Sequence, residues 1–204
     1  MFKKILSNLM AMAILLGVAA CAAPDVASYK AQTPLLDLRT FFNGPLRAHG
    51  VFTDRSGAVV RRFVVKMNGT WNGNEGVLDE HFDHLQSSTK MSKDAIGNIG
   101  TKERRVWKLQ YLEDKNGVTH YSGTADDVVG VAAGMASGNA LKWQYTLRLP
   151  VDGNTWDVQF DDWMYLVDDR VMINKAVMTK FGVTLGEVTL SIVKDPALAA
   201  KGIK

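Results

Sequence analysis

At 204 residues the chain has room for one domain, or one domain and a tail, and its 47% apolar and 22% charged residues exclude a disordered or multi-span membrane protein. Taking Lys3 and Lys4, which lie in a removable leader, from the 24 Lys and Arg leaves 22 against 21 Asp and Glu, so no cationic excess remains for neutralising phosphates and no nucleic-acid partner is expected. A single cysteine, Cys21, excludes an internal disulfide framework and any multi-cysteine zinc site.

Residues 1–20 have the form of a secretory signal peptide: Lys3 and Lys4, an apolar run from Leu9 to Leu16, then small residues. The run is too short to be read as a spanning helix. Its end, Val18-Ala19-Ala20-Cys21, resembles the bacterial lipobox, in which the cysteine becomes the acylated first residue of the mature chain. The plainer alternative is an ordinary signal peptide followed by a cysteine. The lipobox resemblance implies a lipidated Cys21 and a membrane partner reached through that anchor without a span. It also implies a place in the bacterial cell envelope. Ala22, rather than Asp, after the cysteine implies the outer membrane, facing the periplasm.

Residues 21–33 then read as the lipidated cysteine and a flexible tether, because Pro24 and small residues show no apolar periodicity. A single β-barrel domain is expected over 34–194, opened by Pro34-Leu-Leu-Asp-Leu38, with a frayed C-terminal tail over 195–204.

Period-two alternation dominates the domain. Strands are expected at Leu46–Thr53, Val59–Met67, Gly76–Leu85, Arg104–Glu113 and Val118–Ala125. The cleanest is Leu141–Leu149, where Leu141, Trp143, Tyr145, Leu147 and Leu149 share one face and Lys142, Gln144, Thr146 and Arg148 the other. Val158–Leu166, a strand around Ile173 and Val177, and Thr184–Val193 complete the set. Turn signals separate them at Asp54–Gly57, Asn72–Gly76, Asp114–Gly117 and Asp152–Asn154. Only Ser88–Ile99 breaks the pattern and reads as a loop. Gly130, Gly134 and Gly138 lack the context of a phosphate-binding loop and suit a bend or bulge. The fold class is therefore all-β: one closed antiparallel barrel of about 8–10 strands, with a two-sheet sandwich as the alternative.

Several fragments carry a wider resemblance: Phe42-Asn-Gly44, Gly50–Arg55 with Arg61-Arg-Phe63, Trp71-Asn-Gly73, Ala125–Gly130, Gly138-Asn-Ala140 with Trp143 and Tyr145, Phe160–Leu166, Asn174-Lys-Ala176 and Phe181-Gly182. Together, over about residues 40–194, they resemble DUF 3833, a family of uncharacterised bacterial lipoproteins. The resemblance implies a lipocalin-like, calycin-type barrel and an envelope setting, but no activity. The segment from Glu80 to Thr101 departs from the tight hairpin expected there.

Among candidate sites, Asp79–His84 would put Asp79, His81 and Asp83 on one strand face, where they could ligate a metal; a solvated outer face is the plainer reading, and no metal is assigned. His49 and His120 are isolated. No GxSxG elbow is present, and the lone cysteine is reserved for lipidation, so no catalytic residue and no cofactor is assigned. Polar residues inside apolar runs say more. Parity places Asp162 with Val158, Phe160, Met164 and Leu166, and Arg62, Glu80, Arg105, Asp126 and Asn174 interrupt their runs in the same way. A buried carboxylate must be paired or protonated, so an Arg–carboxylate network is expected, either purely structural or in contact with a ligand headgroup. The strand aromatics, among them Trp71, Trp107, Trp143, Tyr145, Trp156 and Trp163, can line a cavity or fill a packed core.

The expected function is a membrane-anchored lipoprotein whose barrel binds or carries a hydrophobic ligand, a fatty acid or lipid. One alternative is an enzyme modifying a lipid or isoprenoid, with Asp162 and an Arg partner as acid–base groups. Another is a ligand-free structural or interaction module.

Overall fold

The computed structural model describes residues 24–85, 104–151, 153–195 and 197. The leader, Cys21 and the Ser88–Ile99 loop lie outside them, as does nearly all of the expected tail. Ten strands follow in chain order: β1 (Gly44–Asp54), β2 (Val59–Asn72), β3 (Glu75–Leu85), β4 (Arg104–Lys115), β5 (Val118–Thr124), β6 (Ala132–Ser137), β7 (Ala140–Val151), β8 (Asn154–Leu166), β9 (Val171–Lys180) and β10 (Val183–Lys194). Each pairs antiparallel with the next, and β10 returns to pair with β1 from Leu46↔Lys194 to Asp54↔Gly186. The barrel is closed, so each of the described strands has a paired neighbour on both sides. Among the described residues no helix is long and apolar enough to cross a membrane.

The strands follow the expected alternation closely, and the tight turns fall at their glycines. Asn116 and Gly117, at φ 58° and 80°, make the two-residue β4–β5 turn, which needs positive φ at both positions. In β7, Leu141, Trp143, Leu147 and Leu149 are buried while Gln144 and Arg148 face solvent. In β9 the inward set is Met172, Asn174, Ala176 and Met178, so Ile173 and Val177 point outward.

β6 is the strand that sequence reasoning missed. Its residues, Ala132 to Ser137, are too small to advertise a strand, and the small size is what the fold uses. Gly134 pairs with Trp143, and the Trp143 indole lies over Gly123 of β5 and Gly134 of β6, where an added Cβ would collide with the ring.

One barrel end is plugged by the chain that precedes β1. The single helical turn α1 (Leu38–Phe41) is capped by Asp37, whose Oδ1 accepts from Arg39 N at 2.8 Å and from the Tyr121 hydroxyl at 3.1 Å. Leu38, Phe41 and Phe42 are buried, and the Trp71 indole N–H donates to the Phe42 carbonyl at 3.2 Å.

Residues 24–33, expected as part of a flexible tether, are docked instead. A 3-10 turn at Val26–Tyr29 buries Val26 and packs Tyr29 against Trp163 and Tyr165, at 6.0 and 5.5 Å between ring centroids. Lys30 Nζ donates to the Asn116 carbonyl at 3.1 Å. Two anchors three residues apart form one stripe on a 3-10 turn, a pattern too short to register as periodicity. At the other terminus Asp195 pairs with Arg47 at 2.9 Å, so the last described residues of the expected tail begin tied to the barrel.

Candidate functional site

The inward faces form one apolar cluster that does not fill the barrel. They leave a partly open cavity of about 180 Å³ that runs from Leu38 and Phe42 at the plugged end towards Phe52, Arg61 and Leu149. Its wall is mostly apolar. Trp107 meets Trp143 and Tyr145 edge to face at 5.8 and 5.3 Å, and Tyr145 stacks on Phe160 at 4.9 Å. Alanines contribute as well: Ala48 and Ala176 line the space without filling it.

A belt of polar side chains crosses this wall. Asp162, 6% exposed, points inward from β8, and its Oδ2 accepts from Asn174 Nδ2 at 3.3 Å and from the Tyr145 hydroxyl at 3.4 Å. Its Oδ1 is buried with no hydrogen-bond partner among the described residues. Glu80 on β3 pairs across the ladder with Arg105 on β4, and their charged atoms lie 3.9 Å apart. Arg105 spends its fork on Asp127, with Nε 3.1 Å from both carboxylate oxygens and Nη2 2.9 Å from Oδ2.

Burial sets the electrostatics of the belt. It pushes the Asp162 carboxyl up to about 7 against the hydrogen bonds from Asn174 and Tyr145, and the Glu80 carboxyl up to about 7 against the pull of Arg105. The Tyr145 hydroxyl is raised well above its ordinary range by burial and then by Asp162. Burial opposes the Arg105 cation, but the Asp127 bond and the Glu80 and Asp127 charges outweigh it and hold the guanidinium above its ordinary value.

Of the residues singled out in the sequence, the structure brings Asp162, Glu80, Arg105, Asn174, Trp143 and Tyr145 together on the cavity wall. Three others are corrected. Arg62 is exposed on the outer face of β2, and its neighbour Arg61 lines the cavity in its place. Asp126 is exposed, and Asp127 is the residue that meets Arg105. Trp163 lies outside the barrel under Tyr29, with Lys142 Nζ 5.5 Å from its ring.

The expected Arg–carboxylate network exists, but it joins Arg105 to Asp127 and Glu80, while the partners of Asp162 are neutral. In both missed cases a doublet hid the answer. For Arg61 the signal was present, since Phe63, Val65 and Met67 share its parity. Asp127 lies in a connection between strands, where parity has no meaning.

The outer face of β3 holds Asp79, His81 and Asp83. Asp79 is bridged by Arg104 at 2.9 Å and by His81 at 3.3 Å, and Asp83 by Lys66 at 2.9 Å. No group of three metal-ligating side chains is present among the described residues.

Comparison with known proteins agrees with this architecture. The family model DUF3833, described as a protein of unknown function, matches residues 15–194. No curated protein matches the chain. Among solved structures it is similar to the S-type phycobiliprotein lyase CPES from Guillardia theta, with a TM-score of 0.50 and 8% identity over 84% of this chain and 98% of that one. At such low identity the likeness is one of fold, the lipocalin-like barrel expected from the sequence.

Proposed function

We propose that this chain, which belongs to the DUF3833 family, binds a hydrophobic small molecule inside its barrel and does so as an anchored protein of the bacterial cell envelope. The cavity carries this reading. A purely structural barrel of this size would fill its interior with side chains. The side chains that line this space leave about 180 Å³ unfilled, so they forgo part of the packing that a closed core would supply. An apolar guest recovers those contacts, and the polar belt orients it. The anchor rests on the lipobox sequence Val18–Cys21. On this reading Cys21 carries the acyl chains and the barrel faces the periplasm from the outer membrane.

The test uses the chain from residue 21 with Cys21→Ser, which drops the leader and the thiol that would be acylated and keeps every described residue. Mass spectrometry of its organic extract should find an apolar compound near one equivalent, and a neutral fluorescent probe, N-phenyl-1-naphthylamine, should bind saturably. No compound and no saturable binding would overturn the reading.

A second reading has its own observation: Glu80 on β3 and Asp162 on β8, both pushed up to about 7 by burial and lining the cavity from opposite sides, suit general acid–base chemistry on a lipid or isoprenoid. An extracted compound that returns chemically altered after incubation with fresh protein would favour the enzyme. A compound that returns unchanged favours carriage.

A further inference from the structure

Resting on the reading of the cavity as a ligand site, the hydrogen-bond inventory of its polar belt narrows what the ligand presents. The belt holds one guanidinium and three carboxyl groups. Arg105 is engaged by Asp127 through Nε and Nη2, and Nη1 faces Glu80. Of the other donors in the belt, the Trp107 indole N–H is directed at Glu80, while the Asn174 amide and the Tyr145 hydroxyl converge on one oxygen, Asp162 Oδ2. The unmatched atom is an acceptor, Asp162 Oδ1, on a side chain that lines the cavity.

A carboxylate or phosphate headgroup brought here would meet two acids, Glu80 and Asp162, and find Arg105 already chelated by Asp127. A hydroxyl or ammonium group that turned the carboxyl towards it, bringing the buried Oδ1 out of the wall, would find an acceptor. The remaining cation on the cavity wall, Arg61, stands on β2 six residues from Met67, the residue paired with Glu80; at about 3.3 Å per residue that is roughly 20 Å along the strand. An acid held by Arg61 would leave Asp162 Oδ1 as it is.

We propose that the belt selects an apolar molecule bearing a hydrogen-bond donor, an alcohol or an amine, and disfavours the free acid of the same chain. Recognition runs through Asp162, with Asn174 and Tyr145 holding the carboxyl in place. A buried acceptor left unmatched by the wrong ligand is what gives such a site its discrimination.

A chain-matched series tests this. 1-Dodecanol, dodecylamine and dodecanoate compete against N-phenyl-1-naphthylamine on the Cys21→Ser chain at pH 8, in wild type, Asp162→Asn and Arg61→Gln backgrounds. The alcohol and amine should displace the probe at concentrations about tenfold or more below dodecanoate, and Asp162→Asn should shrink that gap to within about threefold while Arg61→Gln leaves it intact. Dodecanoate binding as well as or better than the other two, or losing its affinity in Arg61→Gln, would overturn the headgroup assignment and leave the cavity reading standing. Failure of the probe itself to bind would remove both. If Asp162→Asn does not fold, the wild-type ranking of the three headgroups decides the matter alone.

Discussion

Asn174 donates to Asp162 across neighbouring strands at 3.3 Å, and the second partner of Asp162, Tyr145, is equally neutral. This changes what removal of the carboxyl should cost. Had an arginine been the partner, Asp162→Ala would strand a buried cation at a cost of about 3–5 kcal/mol. Here it strands an amide and a hydroxyl, about 1–3 kcal/mol, while also removing an acid that burial disfavours in its charged form. Urea unfolding at pH 8 should therefore find Asp162→Ala less than about 3 kcal/mol below wild type and Asp162→Asn close to it. A loss of 4 kcal/mol or more in Asp162→Ala would mean that a charge does meet Asp162.

The same carboxyl gives the fold a pH dependence whose sign is fixed. Asp162 and Glu80 sit near 7 when folded, against ordinary values of 3.8 and 4.5. Folding thus holds their protons more tightly, and that contribution is fully present below about 4 and lost as the pH rises through about 7. Asp37 and Asp79 are lowered and act oppositely: Asp37 has Arg39 and Tyr121 working against burial, and Asp79 has Arg104 as its main partner. Their contribution is lost as the pH falls below about 4. Thermal melts should show Tm highest near pH 5–6 and falling towards pH 8.5, by an amount that reflects up to about 3 kcal/mol per raised acid. Asp162→Asn should flatten part of that fall. An identical melt at pH 5.5 and 8.5 would show that neither acid is raised.

Arg105 offers the converse case. Its side chain is 11% exposed, and its partners Asp127 and Glu80 are 12% and 14% exposed. Arg105→Met removes the cation between two largely buried carboxyls, and up to about 3–5 kcal/mol should be lost in urea unfolding. Pairing it with Asp127→Leu should return a good part of that loss, because the stranded charge goes with it. Equal losses in the single and double variants would place the cost in packing around Arg105 instead.

How far the sequence carried this picture depends on uninterrupted parity. Asp162 could be placed inside because Val158, Phe160, Met164 and Leu166 flank it on both sides with one phase. In β2 the doublets Arg61-Arg62 and Val64-Val65 blur the phase, and the inward arginine was missed by one position. β6 was missed for a different reason: its inward glycine has no side chain to read, and its logic lies in Trp143 of the next strand. The N-terminal turn was missed because Tyr29 finds its neighbours some 110 to 135 residues away in sequence, at Gly138 and Trp163 among others. Whether the barrel was hollow could not be read at all, since it depends on the difference between the summed inward volumes and the radius that ten strands impose.

That difference can be tested from inside the cavity. Ala176 is 2% exposed, lines the cavity and pairs directly with Asp162 across the β8–β9 ladder. Ala176→Phe adds six carbons beside the polar belt. In a packed core such an insertion forces neighbours off their rotamers and costs about 1–3 kcal/mol. In this barrel the ring has space to enter and recovers contacts that the cavity forgoes, so stability should hold or rise. Binding of N-phenyl-1-naphthylamine should then fall at least tenfold, because ring and probe compete for one volume. Ile173→Phe on the outer face of the same strand should change neither property. A destabilised Ala176→Phe that still binds the probe at wild-type affinity would mean that the probe sits elsewhere and that the interior is not the site.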